Sequence, residues 1–163
     1  MERPLPAYSF FVTLDPADAY LPAAQAALVP YVAAGAFQEV HGLGADLEVT
    51  SYAEGGVNDF VHQLPVRHSW TRISLRRGVV RDSSLFTWYQ AGLTQSLGAR
   101  RDGSILLVTP GGVSAVSWTF RAGIAVKWTG PELNAMQNAV AIEGLEIAHQ
   151  GIEQVILSAP EAD

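Results

Sequence analysis

The sequence predicts a mainly β protein, an antiparallel β-sandwich or barrel that carries one α-helix. Three observations lead there. Several short segments alternate apolar and polar residues and are separated by Gly, Pro, Asn and Asp. Only one segment spaces its apolar residues at three and four. The chain has 163 residues, of which 48% are hydrophobic and 16% charged, which is too apolar for disorder and suits one domain. A chain of this length buries about 70% of its unfolded surface. No internal repeat is visible.

The elements follow in order. Tyr8, Phe10, Val12 and Leu14 alternate with Ser9, Phe11 and Thr13, a strand that Asp15-Pro16 stops. Residues 16–35 are rich in Ala and Pro, with a short helical piece expected over Ala23 to Val29 between two prolines. Strand pattern returns at Phe37–Val40, turns near Gly42 and Gly44, and runs again from Leu47 to Tyr52. The polar Glu54–Asp59 segment reads as a loop. From Ser69 onward Thr71, Ile73 and Leu75 face one way and Arg72, Ser74 and Arg76 the other, with Trp70 on the polar side.

Leu85, Trp88, Tyr89, Leu93 and Leu97 share one helical face, so a helix is expected from Asp82 to Leu97. Asp82 or Ser83 would cap its start and Gly98 would end it. Ile105–Thr109, Pro110-Gly111-Gly112 and Val113–Ala122 read as a hairpin, and Ile124, Val126 and Trp128 as a further strand. The last strand, over Val140 to Ile147, changes phase: Val140 and Ile142 share one face, Leu145 and Ile147 the other. Either a bulge at Gly144 restores the phase or both faces are buried, one of them against a neighbour.

The residues offer no reaction. His41, His62, His68 and His149 fall on different elements, and without cysteine they make no zinc pattern. Gly112-Val113-Ser114 lacks the second Gly and the strand-to-helix setting of a nucleophile elbow. Glu54–Asp59 lacks the alternating oxygen ligands of a calcium loop. Unless the bulge at Gly144 intervenes, Glu143 and Glu146 fall on opposite strand faces and form no acid–base pair. Net charge is −6 and the basic residues are scattered, so no stripe for nucleic acid exists. No catalytic residue, metal or cofactor is expected. The N-terminus lacks an export pattern, and the most apolar window, Ala23 to Phe37, is broken and too short to cross a bilayer. Soluble protein made in the cytoplasm is the expectation.

Several short pieces stand in a fixed order: Tyr8-x-Phe10-x-Val12, Phe37-Gln38-Glu39-Val40-His41-Gly42-Leu43, Tyr52-Ala53-Glu54-Gly55-Gly56 and Leu64-Pro65. Ile73–Gly78, Asp82, Trp88 and the closing run from Pro131 to His149-Gln150-Gly151 complete the set. In this order and spacing they resemble the tail-tube proteins of contractile phages and contractile injection systems. The resemblance covers nearly the whole chain. It departs at Val66, where the family usually has Gly, at Gln150, where it often has Glu, and at the Pro16–Gly35 stretch, which stands as an insertion in a single domain of residues 1–163.

The resemblance implies hexameric rings whose strands join into one inner β-barrel, stacked as a tube inside a sheath. It implies a structural protein without enzymatic activity, within a phage-tail or injection-system particle. Its partners would be its own copies, a sheath protein, baseplate, spike or tube-initiator proteins, and protein or DNA cargo in the channel. Expected assembly contacts are Glu54, Gly55, Gly56 and Asn58 in the loop, Val140, Ile142, Leu145 and Ile147 on the last strand, and Tyr20, Leu28 and Tyr31 in the insertion. Alternatives are a specialised initiator ring joining tube to baseplate, a monomeric β-sandwich binding module, and an enzyme of unrecognised type.

Overall fold

The computed structural model describes residues 10–14, 37–79, 81, 83–95, 100–109 and 114–156. The insertion expected at 16–35, with Tyr20, Leu28 and Tyr31, lies outside them, as do Asp82, Gly98 and the 110–112 turn. Nine strands and one helix are described. They are β1 (Phe10–Leu14), β2 (Phe37–His41), β3 (Ala45–Tyr52), β4 (His62–Trp70), β5 (Ile73–Gly78), α1 (Ser84–Gln95), β6 (Arg101–Val108), β7 (Ser114–Thr129), β8 (Ile142–Ala148) and β9 (Ile152–Ile156).

All the pairings are antiparallel, and the main sheet runs β1-β6-β7-β8-β5-β2 with β9 also beside β7. The 16-residue β7 organises it. Its first half pairs with β6 and β9 and its second half with β8. Between the halves Ala122 sits at φ 49° and donates its N–H to Asp102 Oδ1 at 2.8 Å, where the strand bends from one layer into the other. Left-handed backbone at a non-glycine residue is costly, and the buttressing aspartate helps to offset it. The expected hairpin therefore forms, but its second arm runs through Gly123 into what the sequence presents as a separate strand.

One core fills the space between the layers. Val12, Leu14, Ile105, Phe120 and Ala125 meet Phe37, Ile73, Leu75, Leu145 and Ile147, and Leu85 and Trp88 of α1 close it. The helix starts where expected: the Ser83 carbonyl accepts the Thr87 N–H at 2.8 Å. Its buried stripe is narrower than the periodicity suggests. Leu93 is 70% exposed, because α1 packs through its first half, with Phe86 against the Trp128 ring at 4.8 Å.

β8 settles the phase question. Its register on β5 is unbroken from Ile73↔Ile147 to Gly78↔Ile142, so Gly144 makes no bulge. Glu143, Leu145 and Ile147 point inward and Ile142, Gly144, Glu146 and Ala148 outward. The inward Glu143 is what disguises the alternation. Arg77, directly across on β5, donates to it at 2.7 Å, and the Trp128 indole N–H donates to its other oxygen at 3.3 Å. With Leu145 and Ile147 at 1% and 0% exposure, both belong to the subunit's own core and leave no surface for a neighbouring copy. Val140 lies before the strand, exposed.

Candidate interaction surface

β3 and β4 pair only with each other. They continue β2 and β5, but both arms are interrupted, at Gly42–Gly44 and at Thr71–Arg72. Gly42 takes φ +86°, and any side chain there would collide with the Arg72 carbonyl. One hydrogen bond, Thr71 N–H to the Gly44 carbonyl at 3.1 Å, spans the break. Beyond it a two-stranded ribbon projects about 25 Å at the rise of a β-strand.

Every residue of β3 is exposed, and all of β4 except His62. Near the root, Ala45, Leu47, His68 and Trp70 share one face, and Asp46, Glu48, Arg67 and Ser69 the other. The register shifts between Glu48 and Val49, which places Val66 as an extra residue in β4. Further out each face mixes apolar and polar residues: Val49 stands opposite Pro65 beside the Ser51–Gln63 pair on one, and Leu64 and Tyr52 lie beside Thr50 and His62 on the other. At the tip Gly56 turns at φ +91° and Val57 N–H reaches the Glu54 carbonyl at 3.3 Å. Glu54 Oε2 holds His62 Nε2 at 3.0 Å, and Phe60 stands edge-on to the His62 ring at 5.0 Å. Glu54, Gly55, Gly56 and Asn58 are thus brought together, exposed, at the end of the ribbon.

A second exposed apolar group lies at the end of the main sheet away from the ribbon, beyond Gly78 of β5. Val79 N–H bonds the Ala141 carbonyl at 2.8 Å, and beside it the 130–141 loop leaves Leu133 83%, Met136 93% and Val140 72% exposed. Between the two ends, the outer face of β5, β8 and β7 is wet and charge-paired. Arg76 meets Glu39 at 3.2 Å, and Glu146 lies between Arg72 at 3.7 Å and Lys127 at 3.9 Å. Ser74, Gly144 and Thr129 are the small residues of this face and line a shallow concavity on it together with Arg76, Ile142 and Glu146. The outward Ile142 belongs to it, half-buried.

Two features escape the sequence reading. The β4 strand is hidden by Pro65 and by apolar residues that never enter a core, although Pro is admissible in a strand with a free edge. β9 follows the Gly151 turn, beyond the strand over Val140 to Ile147 that the sequence shows as the last.

Comparisons with known proteins cover nearly the whole chain. The family profile of the T4-like virus tail tube protein gp19 matches residues 7–153. No curated protein matches the chain by sequence. Among solved structures, a chain of the anti-feeding prophage baseplate, 6-fold symmetrised, superposes with a TM-score of 0.77 at 25% identity, over 95% of this chain and 97% of that one. A chain of the sheath-tube complex of an extracellular contractile injection system, PVC, in its extended state gives 0.76 at 21% identity, covering 96% and 94%. A chain of the anti-feeding prophage tube-terminating cap gives 0.75 at 21% identity, again covering 96% and 94%.

Proposed function

The chain belongs to the T4-like virus tail tube protein gp19 family and is a structural subunit of a tail-type tube, and from that premise we propose that it builds hexameric rings which stack through the projecting β3–β4 ribbon. The observation that carries this reading is the ribbon itself. A lone two-stranded hairpin is marginal in water, and this one exposes Leu47, Val49, Tyr52, Phe60, Val61, Leu64, Val66 and Trp70. Half-exposed side chains of this size amount to on the order of 600 Å² of apolar surface. That approaches the ~800 Å² each partner contributes to a standard interface. Such a surface in a repeating assembly is completed by another copy.

The two apolar groups suit this. Stacking of identical rings is a heterologous contact, in which one surface meets a different one and the series stays open. The ribbon is the projecting surface and the Val79, Leu133, Met136 and Val140 rim the receiving one. Glu54, Gly55, Gly56, Asn58 and Val140 keep their assignment as contacts. Ile142 belongs instead to the charge-paired outer face, which lines the channel and lets protein or DNA cargo pass without adhering. Six-fold symmetry, a sheath around the tube, and a baseplate and cap at its ends are carried over from the anti-feeding prophage and PVC assemblies. So is a place within a phage-tail or extracellular injection-system particle. The role is structural, with no reaction assigned. Among the described residues no helix is long and apolar enough to cross a membrane.

Electron microscopy of the purified protein and of a Val49→Glu, Leu64→Glu variant tests the reading. The parent should give rings with a central hole and rods, and the variant rings alone. Rods of parental length from the variant would remove the ribbon from the stacking contact. A compact monomer at every concentration would instead favour a binding module.

A further inference from the structure

The ribbon hangs from a double break, and hinges are made of such short interruptions. Something outside the ribbon must hold its direction if stacked copies are to meet in register. The candidate is the His149-Gln150-Gly151 turn between β8 and β9. It is itself fastened to the bend of β7 by two backbone bonds, Arg121 N–H to the Gly151 carbonyl at 3.0 Å and Gln150 N–H to the Arg121 carbonyl at 2.9 Å.

From this anchored turn two side-chain contacts reach the ribbon root. The first is a hydrogen bond: His149 Nε2 lies 2.8 Å from the Thr71 carbonyl, at the hinge. A carbonyl only accepts, so the proton sits on Nε2. The second is packing. The Trp70 indole lies over Gly151, where a Cβ would already touch it at 3.6 Å. His68 stands edge-on to Trp70 at 4.7 Å, and the His149 ring lies 6.0 Å from Trp70 and 6.4 Å from Phe120. His149 Nδ1 is enclosed with no hydrogen-bond partner among the described residues. An unpaired buried acceptor costs stability. A purely apolar ring would fill the same space without that cost, so the packing alone gives no reason for an imidazole. The bond to the hinge carbonyl gives one.

We infer that His149 and Trp70 are positioning residues: together with the turn at 149–151 they clamp the hinge and aim the ribbon at the next ring. The inference rests on the stacking role proposed above, but its direct test does not. The chain contains no cysteine, so Asn58→Cys at the ribbon tip and Gln90→Cys on α1 give two unambiguous spin-label sites. Labelled subunits are diluted into unlabelled protein and the tip-to-helix distance distribution is measured by electron double resonance. The parent should give one narrow distribution. His149→Phe keeps the ring and loses the donor. The loss of one hydrogen bond should raise the undocked fraction by roughly three- to tenfold and broaden the distribution. His149→Gln, whose amide can donate, should restore part of the narrow population, and Trp70→Ala should broaden it as well.

The same His149→Phe protein should still form rings yet yield few rods. An unchanged narrow distribution in both His149→Phe and Trp70→Ala would overturn the inference, and so would a broad one in the parent. If His149→Phe fails to fold, Trp70→Ala decides alone, since Trp70 is an exposed residue whose loss spares the core. Absence of rods from the parent, with the distances behaving as expected, would count against the stacking role and leave the clamp standing.

Discussion

Removing Glu143 is the sharpest test of the interior. Its side chain is 9% exposed and that of Arg77 1%, and the two face each other across β5 and β8 at 2.7 Å. The guanidinium also lies 5.7 Å from the centre of the Phe37 ring, so it cannot swing out to water without breaking up the core. Glu143→Ala leaves that cation inside without its carboxylate and takes the acceptor from the Trp128 indole. Breaking one side of a buried pair costs about 3–5 kcal/mol. A chain of this size loses 2–4 °C per kcal/mol, which puts the expected fall in Tm at about 10 °C. The pair replaced together, Arg77→Met with Glu143→Leu, should come out near the parent, since both desolvation costs vanish and only the half-buried Trp128 indole N–H loses its acceptor. The assay is urea unfolding followed by tryptophan fluorescence, below the concentration at which rings form, with the two single variants completing a double-mutant cycle. A Glu143→Ala protein within about 0.5 kcal/mol of the parent would refute the reasoning, because that is the range of ordinary surface changes.

Two further outcomes follow from burial and backbone. Trp88→Ala should cost about 3–5 kcal/mol because the indole is enclosed, whereas Leu93→Ala should stay within about 0.5 kcal/mol; equal melting shifts for the two would contradict the half-packed helix. Gly42→Ala should disturb the ribbon root, since it demands a left-handed backbone and collides with the Arg72 carbonyl; unchanged amide-exchange protection from Val40 to Ala45 would contradict the close approach.

Much of this molecule was legible in its residues. The strands of the main sheet show because their inward side chains, such as Val12 and Leu14 or Ile73 and Leu75, alternate with polar ones, and burial on one face imposes a period of two. Leu85 and Trp88 mark the helix for the equivalent reason at a period near 3.6. The Gly55-Gly56 tip shows through its turn chemistry.

Tertiary structure decided what periodicity could not express. The alternation of β8 is masked because one inward position holds Glu143, whose partner Arg77 lies 66 residues away along the chain; only sheet register makes that carboxylate an interior residue. Ile147 and Leu145 look like a second apolar face for a neighbour until the same register turns them into the subunit's own core. Leu93 sits on the correct helical stripe yet meets water, because the length of a helix that packs is set by what lies beneath it. The ribbon is the opposite case. Its apolar residues obey no single-chain pattern, since no core among the described residues takes them in, and its root is tied to a histidine 78 residues from the carbonyl it holds. Local sequence specifies which residues want burial; pairing over long separations determines what buries them.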